Sequence, residues 1–133
     1  MSLLSRKGLL AITAVVDVAL YAQGRPVSAK ALAARNTLPS RHLEPILQAL
    51  VRAGILKGIR GPRGGYELGR ERQRISAEDI LRATQILDDT DNNCSDSQLL
   101  NGVVLPTVAQ AERTFASALS RISVEDLVLR AGH

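Results

Sequence analysis

Apolar residues recur at helical spacing from the start of the chain. Leu10, Ala14, Val18 and Tyr21 share one face of a helix predicted from Ser5 to about Ala22, and Gly24-Arg25-Pro26 ends it. Ser28 suits the N-cap of a short second helix, Ala29 to about Arg35. Asn36-Thr37-Leu38 reads as a turn. A third helix follows from about Pro39 to Ala53, with Leu43, Ile46, Leu47, Leu50 and Val51 on its apolar face. Proline is tolerated in a first turn, as at Pro39. Pro45 falls about two turns in, which requires a later start or a kink. Gly54 suits the residue just past the helix end.

The pattern then changes. Ile55, Leu56 and Ile59 suit one strand, and Tyr66 and Leu68 suit another. Gly61, Pro62, Gly64 and Gly65 between them break both helix and strand, which predicts a hairpin. Its tip carries no bulky apolar group, and Lys57, Arg60 and Arg63 place positive charge at or near it. Ser76 and Asp79 resemble a capping box that opens a fourth helix to about Ile86. Asp88 to Gln98 is acidic and loop-like. A long helix is predicted from about Val103 to Arg121, with Pro106 near its start. Its residues Val104, Val108, Ala111, Phe115, Ala118 and Ile122 form a heptad seam. The seam is too short for a stable lone coiled coil, and beside a packed domain it suits a dimer. Ser123 to Asp126 opens a last short helix ending near Arg130.

At 133 residues one domain is expected. Tyr21, Tyr66 and Phe115 are the whole aromatic complement, so Leu, Ile, Val and Ala must build the core. That scarcity argues against modules that stack single-stranded bases on aromatic platforms. The net charge of +4 conceals an asymmetry. Residues 1–74 hold 13 Lys and Arg against 4 Asp and Glu, and residues 75–133 hold 4 against 9. A basic half joined to an acidic half suggests a nucleic-acid reader attached to a part with other work. Arg6-Lys7 followed by Leu9 to Val16 imitates a signal peptide, but Asp17 interrupts the run and a helix of the mature domain is expected. No stretch is long enough to span a membrane, and a cytoplasmic location is expected.

Two short helices across a tight turn, then a hairpin, make a winged helix-turn-helix. The third helix then enters a major groove with its N-terminal residues at base edges: Pro39, Ser40, Arg41, His42 and Glu44. Arg can bond guanine, Ser a phosphate or a base, and Glu can accept from cytosine. His42 has the alternative of an ordinary helix-surface residue, and Glu44 that of a partner for Arg41 or another arginine. Arg60 and Arg63 suit a narrow, electronegative minor groove. Arg6 and Lys7 open the first helix and suit phosphate contacts.

These features bring a specific resemblance. The chain resembles the Rrf-two family of bacterial regulators, which includes the iron–sulfur cluster regulator and the nitric-oxide-sensing repressor. The likeness is carried by Lys7-Gly8, Ala11 to Ala19, Val27-Ser28, Ala31, Ala33, Leu43-Glu44, Leu47, Leu50 and Ala53-Gly54. Ile59-Arg60-Gly61-Pro62 and Gly64-Gly65-Tyr66-Glu67-Leu68 complete the wing, followed by Ile75, Asp79-Ile80 and Ala83. It is close over residues 3 to about 86 and loose beyond. The resemblance implies a homodimer on a pseudo-palindromic double-stranded DNA operator, acting mostly as a repressor. It also implies that Arg60 enters the minor groove and that Glu44 takes part in base discrimination.

The expected fold is therefore mainly α: a winged helix-turn-helix with a β-hairpin wing and a long C-terminal dimerisation helix. Residues 1–86 form the DNA-binding region, 87–102 a sensor-type loop, and 103–133 the dimerisation helix and a short last helix, within one compact domain. Many relatives ligate an iron–sulfur cluster through three cysteines in the sensor region. This chain has only Cys94. A cluster needs about four ligands, usually thiolates, so no cluster and no other cofactor is expected. Cys94 has three readings: an inert remnant, a redox- or electrophile-sensing thiol, or a ligand of some metal. Asp91 and Asp96 beside it oppose thiolate formation. The competing function is a winged-helix interaction module working through an enzyme partner, with the acidic half as its face. An enzyme is the weakest reading, because Cys94 with His42 or His133 has no oxyanion or phosphate loop nearby.

Overall fold

The computed structural model describes residues 6–88 and 98–132. Six helices and one hairpin follow in order: α1 Arg6–Tyr21, α2 Ala29–Asn36, α3 Ser40–Arg52, β1 Leu56–Ile59, β2 Gly65–Leu68, α4 Ala77–Asp88, α5 Leu105–Ser120 and α6 Val124–Arg130. The sequence-predicted elements are all present, with ends moved by a residue or two. α4 runs on to Asp88, and Pro39 caps α3 rather than opening it.

The turn between α2 and α3 has a defined chemistry. The Leu38 N–H donates to the Ala33 carbonyl at 2.9 Å and the Thr37 N–H to that of Ala34 at 3.4 Å. These two bonds are a Schellman closure, which needs a left-handed residue. Thr37 supplies it at φ 53°, the only non-glycine with positive φ among the described residues. A β-branched residue there costs about 1–2 kcal/mol, which the surrounding packing must offset. α3 ends by the same motif with Gly54, φ 79°, in the left-handed position. Pro45 stays inside α3. With no N–H, it leaves the Arg41 carbonyl without its usual donor one turn later.

Strands β1 and β2 pair antiparallel, Leu56 with Leu68 through Ile59 with Gly65. The sequence pattern missed a third member. Val27, just before α2, exchanges two backbone hydrogen bonds with Tyr66 at 2.7 and 2.8 Å, so β2 is flanked on both sides. Gly65 makes this approach feasible: a Cβ there would stand 2.3 Å from the Val27 carbonyl oxygen. Gly65→Ala is accordingly expected to destabilise the domain by about 1–3 kcal/mol, the cost of overpacking against backbone. Thermal unfolding checks this, and an unchanged midpoint would refute the docking role of Gly65.

The core is aliphatic, as the composition requires. Val15 and Val18 of α1, Leu32 of α2, and Leu43, Ile46, Leu47 and Leu50 of α3 are fully buried with Ile55, Leu56, Ile75 and Ile80. Val124 and Val128 join the same cluster, so α6 folds back into the core of the N-terminal half. Backbone bonds pin that return: the Val124 N–H to the Ile75 carbonyl, and the Ala77 N–H to that of Ile122, both at 2.8 Å. Capping boxes open both helices at this junction, Ser76 with Asp79 and Ser123 with Asp126. In the second, the Ser123 backbone N–H and then its hydroxyl hold the Asp126 carboxyl below the usual carboxylate range. Arg72, in a short 3₁₀ turn, reaches Glu125 of α6 at 2.6 Å.

α5 differs from the other helices in burying no residue. A wider π turn, Leu100–Val104, leads into it. Pro106 explains the change of pitch, since it cannot donate to the Gly102 carbonyl and its ring crowds that oxygen.

Candidate nucleic-acid interface

α3 is amphipathic. Leu43, Ile46, Leu47, Ala49 and Leu50 face the core, while Ser40, Arg41, His42, Glu44, Pro45, Gln48 and Arg52 are exposed. Arg41, Glu44, Pro45 and Gln48 lie at i, i+3, i+4 and i+7, which is one face of the helix. Glu44 has no ion pair among the described residues, so it is not the partner of Arg41. Ser40, Arg41, His42 and Gln48 likewise make no side-chain hydrogen bond there. The exposed edge of α3 is thus a row of donors and acceptors left unused by the fold.

The hairpin tip is a tight turn in which the Gly64 N–H donates to the Gly61 carbonyl at 2.9 Å. Pro62 and Arg63 occupy its central positions. Arg63 keeps a negative φ, so the turn belongs to the type I class rather than type II. Gly64 is required at the exit, because a Cβ would fall 2.1 Å from the Ile59 carbonyl oxygen. Arg60 immediately precedes the turn. Arg60 and Arg63 are exposed and pair with no described residue. Lys57 is exposed opposite Glu67 in the register. Lys7 is exposed in the first turn of α1.

Behind this edge lies a polar cluster that the sequence pattern did not reveal. Asp17 of α1 keeps only 4% of its surface exposed. It accepts from Arg35 Nε at 3.0 Å, from Arg35 Nη2 at 2.8 Å and from the Asn36 amide at 2.9 Å. The Arg35 guanidinium also lies over the Tyr21 ring, 4.1 Å from its centre. The bonds to Asp17 hold Arg35 still more firmly protonated than usual. This fork ties the end of α2 to α1, directly before the Thr37 turn that aims α3.

Of the predicted seam, Val104 in the π turn and Ile122 past the end of α5 are exposed, as are Ala111 and Ala118 on α5, while Val108 and Phe115 are half-buried. Cys94 and His133 lie outside the described residues. Among the described residues no three His, Cys, Asp or Glu side chains gather where they could hold a metal ion, and no helix is long and apolar enough to cross a membrane. The sequence reading passed over Gln48, Arg52 and Lys30, all exposed on the helix-turn-helix. Helical spacing from Arg41 would have flagged Gln48.

Comparison with known proteins agrees with the fold. A family model described as Rrf2, iron-dependent transcriptional regulator, matches residues 4–130. A Synechocystis protein named as an HTH-type transcriptional regulator is 36% identical over 93% of this chain and 86% of its own length. The HTH-type transcriptional regulator IscR of Xenorhabdus nematophila is 38% identical over 60% of this chain, and the match spans 49% of that protein. Among solved structures, CymR, the global cysteine regulator of B. subtilis, superposes with a TM-score of 0.73 at 28% identity, covering 95% of both chains. T. potens IscR gives a TM-score of 0.71 at 29% identity over 96% of this chain and 86% of its own. The matched relatives and the family model are named as regulators. The chain belongs to the Rrf2 family of winged helix-turn-helix transcription regulators.

Proposed function

We propose that this chain is a cytoplasmic homodimeric repressor that binds a pseudo-palindromic double-stranded DNA operator and carries no iron–sulfur cluster. The observation that carries the reading is the pairing of two unused polar edges on one rigid frame. The α3 row offers base-edge chemistry suited to a major groove, and the Arg60–Arg63 tip offers charge suited to the adjacent minor groove. Ser40, Arg41, His42 and Glu44 are the reading residues, with Lys7 on phosphate. The seam along α5 and its flanks, from Val104 to Ile122, supplies the surface for the second copy, and a two-fold dimer reads a two-fold operator.

The family description names iron, but this chain's donor set does not fit a cluster. Each copy has one thiol, at Cys94, against the roughly four ligands a cluster takes. Anaerobic purification followed by iron and sulfide analysis is expected to find neither in stoichiometric amount. Light scattering of the same material is expected to give a dimer, alone and on DNA. Stoichiometric iron and sulfide, or a monomer on DNA, would overturn the corresponding part.

A further inference from the structure

The α3 face extends beyond the residues just assigned. Gln48 stands two helical turns past Arg41 on the same exposed face, and its amide makes no hydrogen bond to any described residue. The residues around it in sequence, Leu47 and Ala49, are buried, so the backbone that carries the amide is held by the core. Gln48 therefore projects from a fixed support. The set Arg41, Glu44, Pro45, Gln48 follows the i, i+3, i+4, i+7 spacing with which homeodomain helices read a major groove. At about 1.5 Å of rise per residue, Gln48 lies roughly 10 Å along the axis from Arg41. That is about three base-pair steps at 3.4 Å each.

We propose that Gln48 is a specificity-determining residue that reads an adenine in the major groove. A glutamine amide presents one donor and one acceptor side by side. Adenine presents the complementary pair on its major-groove edge, the N6 amino group and N7. Guanine offers two acceptors there and pairs poorly with the same amide. Pro45 brings only an apolar ring surface to the row between Arg41 and Gln48. The row thus carries a cation at Arg41, a carboxylate at Glu44 and a neutral amide at Gln48.

This inference rests on the DNA-reading function proposed above, and the test separates the two. Duplexes are selected from a randomised pool by the full-length protein, by Gln48→Ala and by Arg60→Ala. The parent is expected to select an adenine at one position of each half-site, and replacing it should weaken parent binding about tenfold. Gln48→Ala is expected to lose that preference to within about twofold, keep the preferences at other positions, and leave the salt slope unchanged. Retention of every parent preference by Gln48→Ala would overturn the proposal. So would equal weakening on all sequences with a reduced slope, which is the signature of a phosphate contact. Failure of the parent to select any sequence would instead remove the DNA-reading function itself, and Arg60→Ala would then match the parent.

Discussion

Arg60→Ala is expected to weaken binding to the selected operator by about ten- to a hundredfold, roughly 1.4–2.8 kcal/mol. The variant should unfold within about 0.5 kcal/mol of the parent, because Arg60 is exposed and pairs with no described residue, so the fold loses no contact. The loss is therefore a binding loss and can be read without correction for stability. Its origin is the position of Arg60, exposed and unpaired among the described residues, beside a turn closed by Gly61 and Gly64. In a narrow minor groove, one cation displaces condensed counterions and meets an enhanced negative potential. The log–log salt slope should fall by about one. Titration of labelled duplex at several salt concentrations measures both quantities, and unchanged affinity with an unchanged slope would refute the wing assignment.

Arg35→Ala is expected to destabilise the domain by about 3–5 kcal/mol, far more than most surface substitutions. The asymmetry between the partners explains the size. Asp17 is buried, whereas the Arg35 side chain retains 34% of its surface. Removing Arg35 strands a buried carboxylate with only the Asn36 amide for company. Removing the charge at Asp17 leaves an arginine that can turn to water, so Asp17→Asn should cost less. Arg35→Lys should fall between, since an ammonium cannot reproduce the two-pronged contact. Urea unfolding of the three variants ranks them. If Arg35→Ala is no more costly than Asp17→Asn, the buried carboxylate is not what the fork protects.

Legibility in the sequence varied with how local each feature is. The wing was readable because glycine and proline punctuate it within a few residues. The boxes at Ser76–Asp79 and Ser123–Asp126 were readable because each closes over three residues. Turn chemistry also marked Asn36-Thr37-Leu38, although nothing in a β-branched threonine announces a left-handed conformation. Features made by distant residues were not readable. Val27 contributes a single bridging residue to the sheet, and one residue has no periodicity. Asp17 and Arg35 lie 18 positions apart, and each alone reads as an ordinary surface charge. α6 enters the core through only Val124 and Val128, too few to separate it from a loosely attached tail. In the site, the N-terminal turn of α3 singles out Ser40–Glu44, whereas Gln48 lies two turns past Arg41 and is legible only through helical spacing along the same face.

The bridge between Val27 and Tyr66 has a mechanical consequence for the nucleic acid. It ties the inner strand of the wing to the entry of α2, so the hairpin that bears the Arg60 tip is joined to the helix-turn-helix by two backbone hydrogen bonds. A protein with a floppy wing could meet any duplex by adjusting itself. With the wing tied back in this way, a duplex that meets both the α3 row and the Arg60 tip, as proposed, must supply part of the adjustment through its own twist and groove width. Base pairs lying between the two contacts, touched by no side chain, then influence affinity through how cheaply they deform. Flexible pyrimidine–purine steps or a stiff narrow tract in that interval would be selected as firmly as a contacted base.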